Sequence, residues 1–220
     1  MVKNLSIILG SQLCDLSEIS FLTKYPIFMC ESDDLCNRYK FHQLKIIFFL
    51  SAMRNYRDEL VENGNSCFYY QLQINYEQKY FDVLEVFCKS KEVENIHYLE
   101  VEDEYFNNKL KNFCKKYSIN LISYKNPLFL TSKEEFKEYL DSTKRPFMKT
   151  FYQYQRKKFN ILMDGKNPRG GKWSYDEDNR KKTPKKIVFP DIKLDRNSKY
   201  VKEVTQLVSE KFSSHIGSKS

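Results

Sequence analysis

Two short stretches bring together side chains suited to holding a small ligand by hydrogen bonds. Gly10-Ser11-Gln12 follows an apolar run and pairs a compact turn with side-chain donors and acceptors. Glu31, Tyr39, His42 and Lys45 follow the next apolar run, and His42 and Lys45 share one helical face. Together these four describe a polar pocket for a planar heterocycle bearing hydroxyls; the same spacing also describes a surface ion pair beside a satisfied histidine. Gly10 stands alone, without a G-x-G-x-x-G pattern or a P-loop lysine, so cradling of a dinucleotide or triphosphate has no support. His97 and His215 lack a Cys or carboxylate at metal-ligand spacing, and no Ser-His-Asp set or carboxylate pair can be assembled. No residue is assigned a catalytic role, and none a metal-binding one.

Phe147 to Lys158 interleaves aromatic and basic side chains. That composition suits stacking on single-stranded nucleic acid, and equally a helix with an aromatic face packed and a basic face wet. The six cysteines, Cys14, Cys30, Cys36, Cys67, Cys88 and Cys114, contain no C-x-x-C pair and read as scattered core thiols in a reducing compartment.

The elements that must position these residues alternate in type. Leu5–Leu9, Pro26–Cys30, Cys67–Leu72, Ile96–Val101 and Asn120–Tyr124 have strand length and strand composition. Between them, Tyr39–Val61, Phe81–Phe87 and Tyr105–Tyr117 carry helical periodicity, and Gly64 stops the first. Such alternation predicts an α/β, Rossmann-like doubly wound parallel sheet of five strands over residues 1–126, with flanking helices. In such sheets ligands bind beyond the strand C-termini, where Gly10 and Glu31 fall. Residues 127–164 read as a helical extension, with helices at Lys133–Asp141, capped by Thr131 or Ser132, and Phe147–Met163. Residues 165–220 read as a helical and extended basic connector, with an amphipathic segment at Val201–Val208 that looks like the truncated start of a second domain.

The net charge of +8 is uneven: residues 1–143 carry 17 Lys/Arg against 21 Asp/Glu, and residues 144–220 carry 20 against 8. A basic arm on a mildly acidic body points to an anionic partner such as nucleic acid, or to a solvated Lys-rich surface. No apolar run approaches the length of a membrane span or a signal peptide core, so the chain reads as cytoplasmic with no membrane partner.

Three stretches resemble one family. The first is Ile8–Leu13; the second runs from Arg38 to Lys45 and on through Leu50-Ser51-Ala52-Met53-Arg54; the third joins Met148–Tyr152, Ile161–Lys166 and Gly171 to Lys181. They look like the N-terminal part of the prokaryotic photolyase-related proteins, the iron–sulfur bacterial cryptochromes and photolyases. The resemblance implies an antenna domain that holds 6,7-dimethyl-8-ribityllumazine and passes excitation energy to FAD. FAD and a 4Fe-4S cluster would sit in a helical C-terminal domain, and the complete enzyme would repair (6-4) lesions in DNA or sense light. By resemblance, Gly10, Ser11, Gln12, Glu31, Tyr39, His42 and Lys45 map onto the antenna pocket, with Ser11 where the family carries an acidic residue. Trp173, Tyr175, Asp176, Asn179 and Arg180 map onto the interdomain connector. The FAD pocket, cluster cysteines and electron-transfer tryptophans have no counterpart, and Trp173 is the only Trp. The expectation is a truncated or split photolyase-like chain that does not catalyse alone and acts with a separate C-terminal FAD-binding chain. The alternative is a nucleic-acid-binding module contacting DNA through residues 144–220.

Overall fold

A computed structural model describes residues 1–176, 179–183, 186–188, 190–191 and 199–218. The chain forms two compact units, Met1–Leu130 with Asp195–Ser220, and Thr131–Leu194. The first holds five parallel strands: β1 (Asn4–Ile7), β2 (Ile27–Cys30), β3 (Cys67–Tyr70), β4 (Asn95–Leu99) and β5 (Asn120–Tyr124). Their order is β3-β2-β1-β4-β5, so the doubly wound sheet expected from the alternating pattern is present.

Burial on both faces explains why the strand sequences are apolar runs rather than alternations. All four residues of β2 are buried: Ile27 and Met29 face one core, Phe28 and Cys30 the other. On the first face packs α3 (Gln43–Glu62), which buries Ile46, Leu50, Met53 and Leu60. It ends at Asn63, and Gly64 takes φ +80°, a conformation that glycine adopts without steric cost. On the second face pack α4 (Tyr80–Lys91) and α5 (Glu104–Lys116), through Leu84, Phe87, Leu110 and Phe113. A 3₁₀ turn at Leu16–Ile19 and one-turn helices α1 (Ser20–Thr23) and α2 (Asp33–Cys36) fill the loops after β1 and β2. They are too short to leave a periodic signal.

The second unit begins with α6 (Lys133–Asp141), whose Ser132 and Glu135 form the reciprocal cap of a capping box. Against it lies α7 (Met148–Lys158): Phe136 meets Phe151 at 5.1 Å and Tyr139 meets Tyr154 at 5.1 Å between ring centroids. Part of the aromatic face of the basic–aromatic stretch is therefore used in packing. The spacing predicts a helix to Met163, but α7 stops at Lys158. Asn160 and Leu162 turn left-handed at φ +52° and +50°, and buried Arg156 donates to the carbonyls of Ile161 and Leu162. Met163–Asp164 (β6) then pairs antiparallel with Asn167–Pro168 (β7).

The C-terminal segment differs most from expectation. Val201–Lys211 is a helix, α8, but it does not open a separate domain. Its buried face, Val204, Leu207 and Val208, joins the α3 core together with Tyr200 and Phe212. Each such side chain contributes about 1.5–3 kcal/mol when fully buried. That apolar face groups α8 with the first unit, so the divisions drawn at 126 and 164 fall instead near Leu130 and Leu194.

Candidate functional site

Strand order reverses between β1 and β4, since β1 continues to β2 on one side and β4 to β5 on the other. The C-terminal ends of these strands open a crevice, the place where ligands bind in open α/β sheets. A cavity of about 470 Å³ lies there, within the range usual for small-molecule sites. Its walls are mostly apolar, with Leu35, Phe41, Phe49, Leu50, Phe106 and Phe129 among them.

Of the seven pocket residues read from sequence, the structure brings six to this cavity: Gly10, Ser11, Gln12, Glu31, Tyr39 and Lys45. Their roles divide. Gly10 does not adopt a positive φ; instead a Cβ there would lie 2.6 Å from Met53 Sδ, so its smallness lets α3 approach β1. Ser11 is exposed at the rim. Gln12 is buried and its amide donates to Glu100 O at 3.0 Å, tying the β1 turn to the end of β4. Tyr39 is exposed at the mouth, and Lys45 Nζ sits 4.6 Å above the Phe41 ring and 5.8 Å from that of Phe49.

Glu31 is fully buried and its carboxylate is filled by donors. Arg54 Nε and Nη2 donate at 2.7 and 2.9 Å, the Tyr69 hydroxyl at 2.5 Å and the Leu72 amide at 2.9 Å. It therefore anchors the cavity floor and has no lone pair directed at a ligand. Burial, then the Glu31 charge, pushes the Tyr69 hydroxyl far above its usual range, so it remains a donor. The opposite face of the guanidinium is 2.9 Å from Glu203 of α8, a charge contact without hydrogen-bond alignment.

His42 does not line the cavity. It is the N-cap of α3, where Nδ1 accepts from the Leu44 amide at 3.2 Å, and its ring lies against Gly217. The helix expected from Tyr39 starts only at Gln43, so His42 sits before it in extended backbone at φ −66°, ψ 137°, shares no helical face with Lys45, and turns its capping ring away from the cavity.

Several residues at the site were not singled out from sequence. Arg38 pairs with Asp103 across the mouth, joining the loop after α2 to the N-cap of α5. Burial opposes ionisation of Asp103, but the Phe106 amide and Arg38 hold its carboxyl below its usual range. Buried Asn126 donates to Glu100 O at 3.3 Å and accepts from the Leu128 amide. Only Asp103 left a readable signal, an acidic residue just before a periodic helix. Cys30 and Cys36 also line the cavity; burial, followed by neighbouring carboxylates, raises both thiols, that of Cys36 to about 12. Both remain protonated and unreactive near neutrality.

In the second unit, the connector residues form a local turn structure. Trp173 gives its carbonyl to Arg156 Nη1 at 2.9 Å, with Arg156 and Lys157 over its ring. The Tyr175 hydroxyl donates to Gly170 O, and Asn179 donates to the Asp176 carboxylate at 3.1 Å. Arg180 is exposed in the turn that follows. Among the described residues no three His, Cys, Asp or Glu side chains stand together as metal donors, and no helix is long and apolar enough to cross a membrane.

The first unit is thus a doubly wound α/β domain with an apolar cavity at its switch point. The chain belongs to the deoxyribodipyrimidine photo-lyase-related protein family, whose sequence model matches residues 6–220. It is 32% identical over 201 residues to an uncharacterised protein of Acanthamoeba polyphaga mimivirus, covering 86% of this chain and 99% of that one. It is 25% identical over 220 residues to the (6-4) photolyase of Agrobacterium fabrum, covering 98% of this chain and 43% of that enzyme.

Proposed function

We propose that the first unit is the chromophore-binding, antenna domain of a photolyase-like system and that its ligand is 6,7-dimethyl-8-ribityllumazine. The observation that carries this is the switch-point cavity: about 470 Å³ with mostly apolar, partly aromatic walls, which suits a small ring system, and with Ser11, Tyr39 and Lys45 in its lining to meet a polyhydroxylated chain. When bound, the lumazine supplies absorption in the near-UV to blue and passes that excitation to a flavin. Phe41, Phe49 and Phe129 of the lining would hold the ring, Leu35, Leu50 and Phe106 would exclude water, and the Lys45 ammonium would be available to its polar groups.

The residues present do not fit a 4Fe-4S cluster. The six free cysteines are spread over separate elements, and no three donors converge among the described residues. On this reading the cluster and FAD belong to a part of the system outside residues 1–220, and light-dependent DNA repair or blue-light sensing belongs to the complete assembly.

Fluorescence titration of the purified chain with the lumazine tests the reading. Saturable binding is expected, weakened about tenfold by Lys45→Ala, the equivalent of the ~1–2 kcal/mol of a partly desolvated cation–π and polar contact. Absence of binding at high micromolar lumazine would reject the antenna role. A second reading, DNA contact through residues 144–220, is favoured by charge: Thr131–Leu194 carries 17 Lys/Arg against 9 Asp/Glu, and the rest of the chain carries 20 of each.

A further inference from the structure

The cavity wall formed by Asn37–Gln43 lies between α2 and α3 and has little structure of its own. Its internal backbone bonds include Phe41 N to Tyr39 O at 2.9 Å, and a long bond from Arg38 N to Leu35 O at 3.5 Å ties it back to α2. Yet three of its residues, Arg38, Tyr39 and Phe41, line the cavity, and Lys45 follows directly. Something outside the loop must hold it.

That support comes from the far end of the sequence. Beyond α8, Ser214–Gly217 runs beside the loop. The Gln43 amide donates to Ile216 O at 2.9 Å, the Gln43 side chain donates to His215 O at 3.2 Å, and His42 and Ile216 pair as a single parallel bridge. Lys40 Nζ donates to Ser214 Oγ at 3.0 Å. His215 is 5% exposed, and its two ring nitrogens reach both ends of the loop: Nδ1 lies 3.1 Å from Phe41 O and Nε2 3.0 Å from Asn37 Oδ1. Gly217 makes the close pass possible. It takes φ +81°, and a Cβ there would fall 1.9 Å from His42 Nε2. The strap is anchored behind by Phe212, which is fully buried and packs edge-on to the His215 ring at 5.5 Å.

We infer that His215 is a positioning residue for the cavity: through it the Ser214–Gly217 strap fixes the Asn37–Gln43 wall against which the ligand is held. The identity of the ligand rests on the lumazine reading; the fixing of the wall does not. A loop held this way opens locally without unfolding the sheet, because its protection depends on a few bonds to the strap and on the Arg38–Asp103 pair.

Hydrogen–deuterium exchange on the ligand-free full chain, paired with lumazine titration, tests this. His215→Ala is expected to speed amide exchange in Asn37–Gln43 by about tenfold or more while leaving β1–β5 unchanged, and to weaken lumazine binding by a similar factor. His215→Gln, which restores a donor toward Phe41 O, is expected to recover part of both. Should His215→Ala destabilise the chain as a whole, Gly217→Ala serves instead: that position is exposed, and its added methyl forces the strap and the His42 ring apart. Unchanged exchange in Asn37–Gln43 in both Ala variants would overturn the inference, as would a loosened loop with undiminished lumazine affinity. A wild-type chain that takes up no lumazine would sink the antenna reading, and the exchange measurement would still decide the strap.

Discussion

At residue 10 an added Cβ would sit 2.6 Å from Met53 Sδ, closer than side chains pack. Gly10→Ala is therefore expected to destabilise the chain by about 1–3 kcal/mol through overpacking, measured by urea denaturation. Combining it with Met53→Ala should cost less than the two separate losses, because truncating Met53 makes room for the methyl added at residue 10. Gly10 is legible in sequence as special, but the evident reason, backbone freedom at a strand end, is not the operative one. A long-range contact to α3 makes it special, and no local pattern encodes that. Glu31 shows the same limit. Its position after β2 marks it for a cavity, yet Arg54, Tyr69 and Leu72 claim its oxygens from elements far along the chain. His42 was readable as polar and helical; only the true start of α3 reveals it as a cap.

At the scale of elements, α8 is held to α3 by apolar packing, by the Arg54–Glu203 contact and by a charged cluster around Asp58. Burial raises the Asp58 carboxyl, but hydrogen bonds from Tyr200, Arg57 and Lys199 outweigh it and bring the value to about 2. A carboxyl depressed in the folded state stabilises above its unfolded value, near 3.9, and loses that contribution as pH falls toward 2. Docking of α8 is thus expected to weaken between about pH 4 and pH 2, followed by exchange protection of α8 amides. Asp58→Asn should flatten that dependence; an unaltered profile would show that Asp58 does not govern it. The five strands and the helices α3, α4, α5 and α6 were legible because each has a strong period or apolar run. The one-turn helices α1 and α2 were not, for want of length, and the end of α7 was not, because left-handed turns at Asn160 and Leu162 carry no glycine to announce them. The amphipathic period of α8 was readable, whereas its partner was not: an apolar stripe says that something covers it, never what.

At the scale of the whole molecule, the entire net charge of +8 resides in Thr131–Leu194. If that unit contacts DNA, affinity should fall linearly in log–log form with salt, with a slope of about −0.9 per phosphate neutralised on duplex DNA. Arg145→Ala, Lys149→Ala and Arg169→Ala should each lower the slope by about one, as gel-shift or anisotropy titrations at several salt concentrations would show. A slope unmoved by all three would remove the nucleic-acid reading from this unit. The charge asymmetry was plain in the sequence, though the basic arm as first bounded included α8, which the fold returns to the neutral unit. That return has a consequence for synthesis. A ribosome delivers β1 and α3 well over a hundred residues before α8, so the α3 core lacks Val204, Leu207, Val208 and Phe212 until that stretch has emerged. Until then the nascent sheet keeps a bare apolar flank, and the Asn37–Gln43 wall of the cavity gains its supporting strap only after translation has passed residue 217.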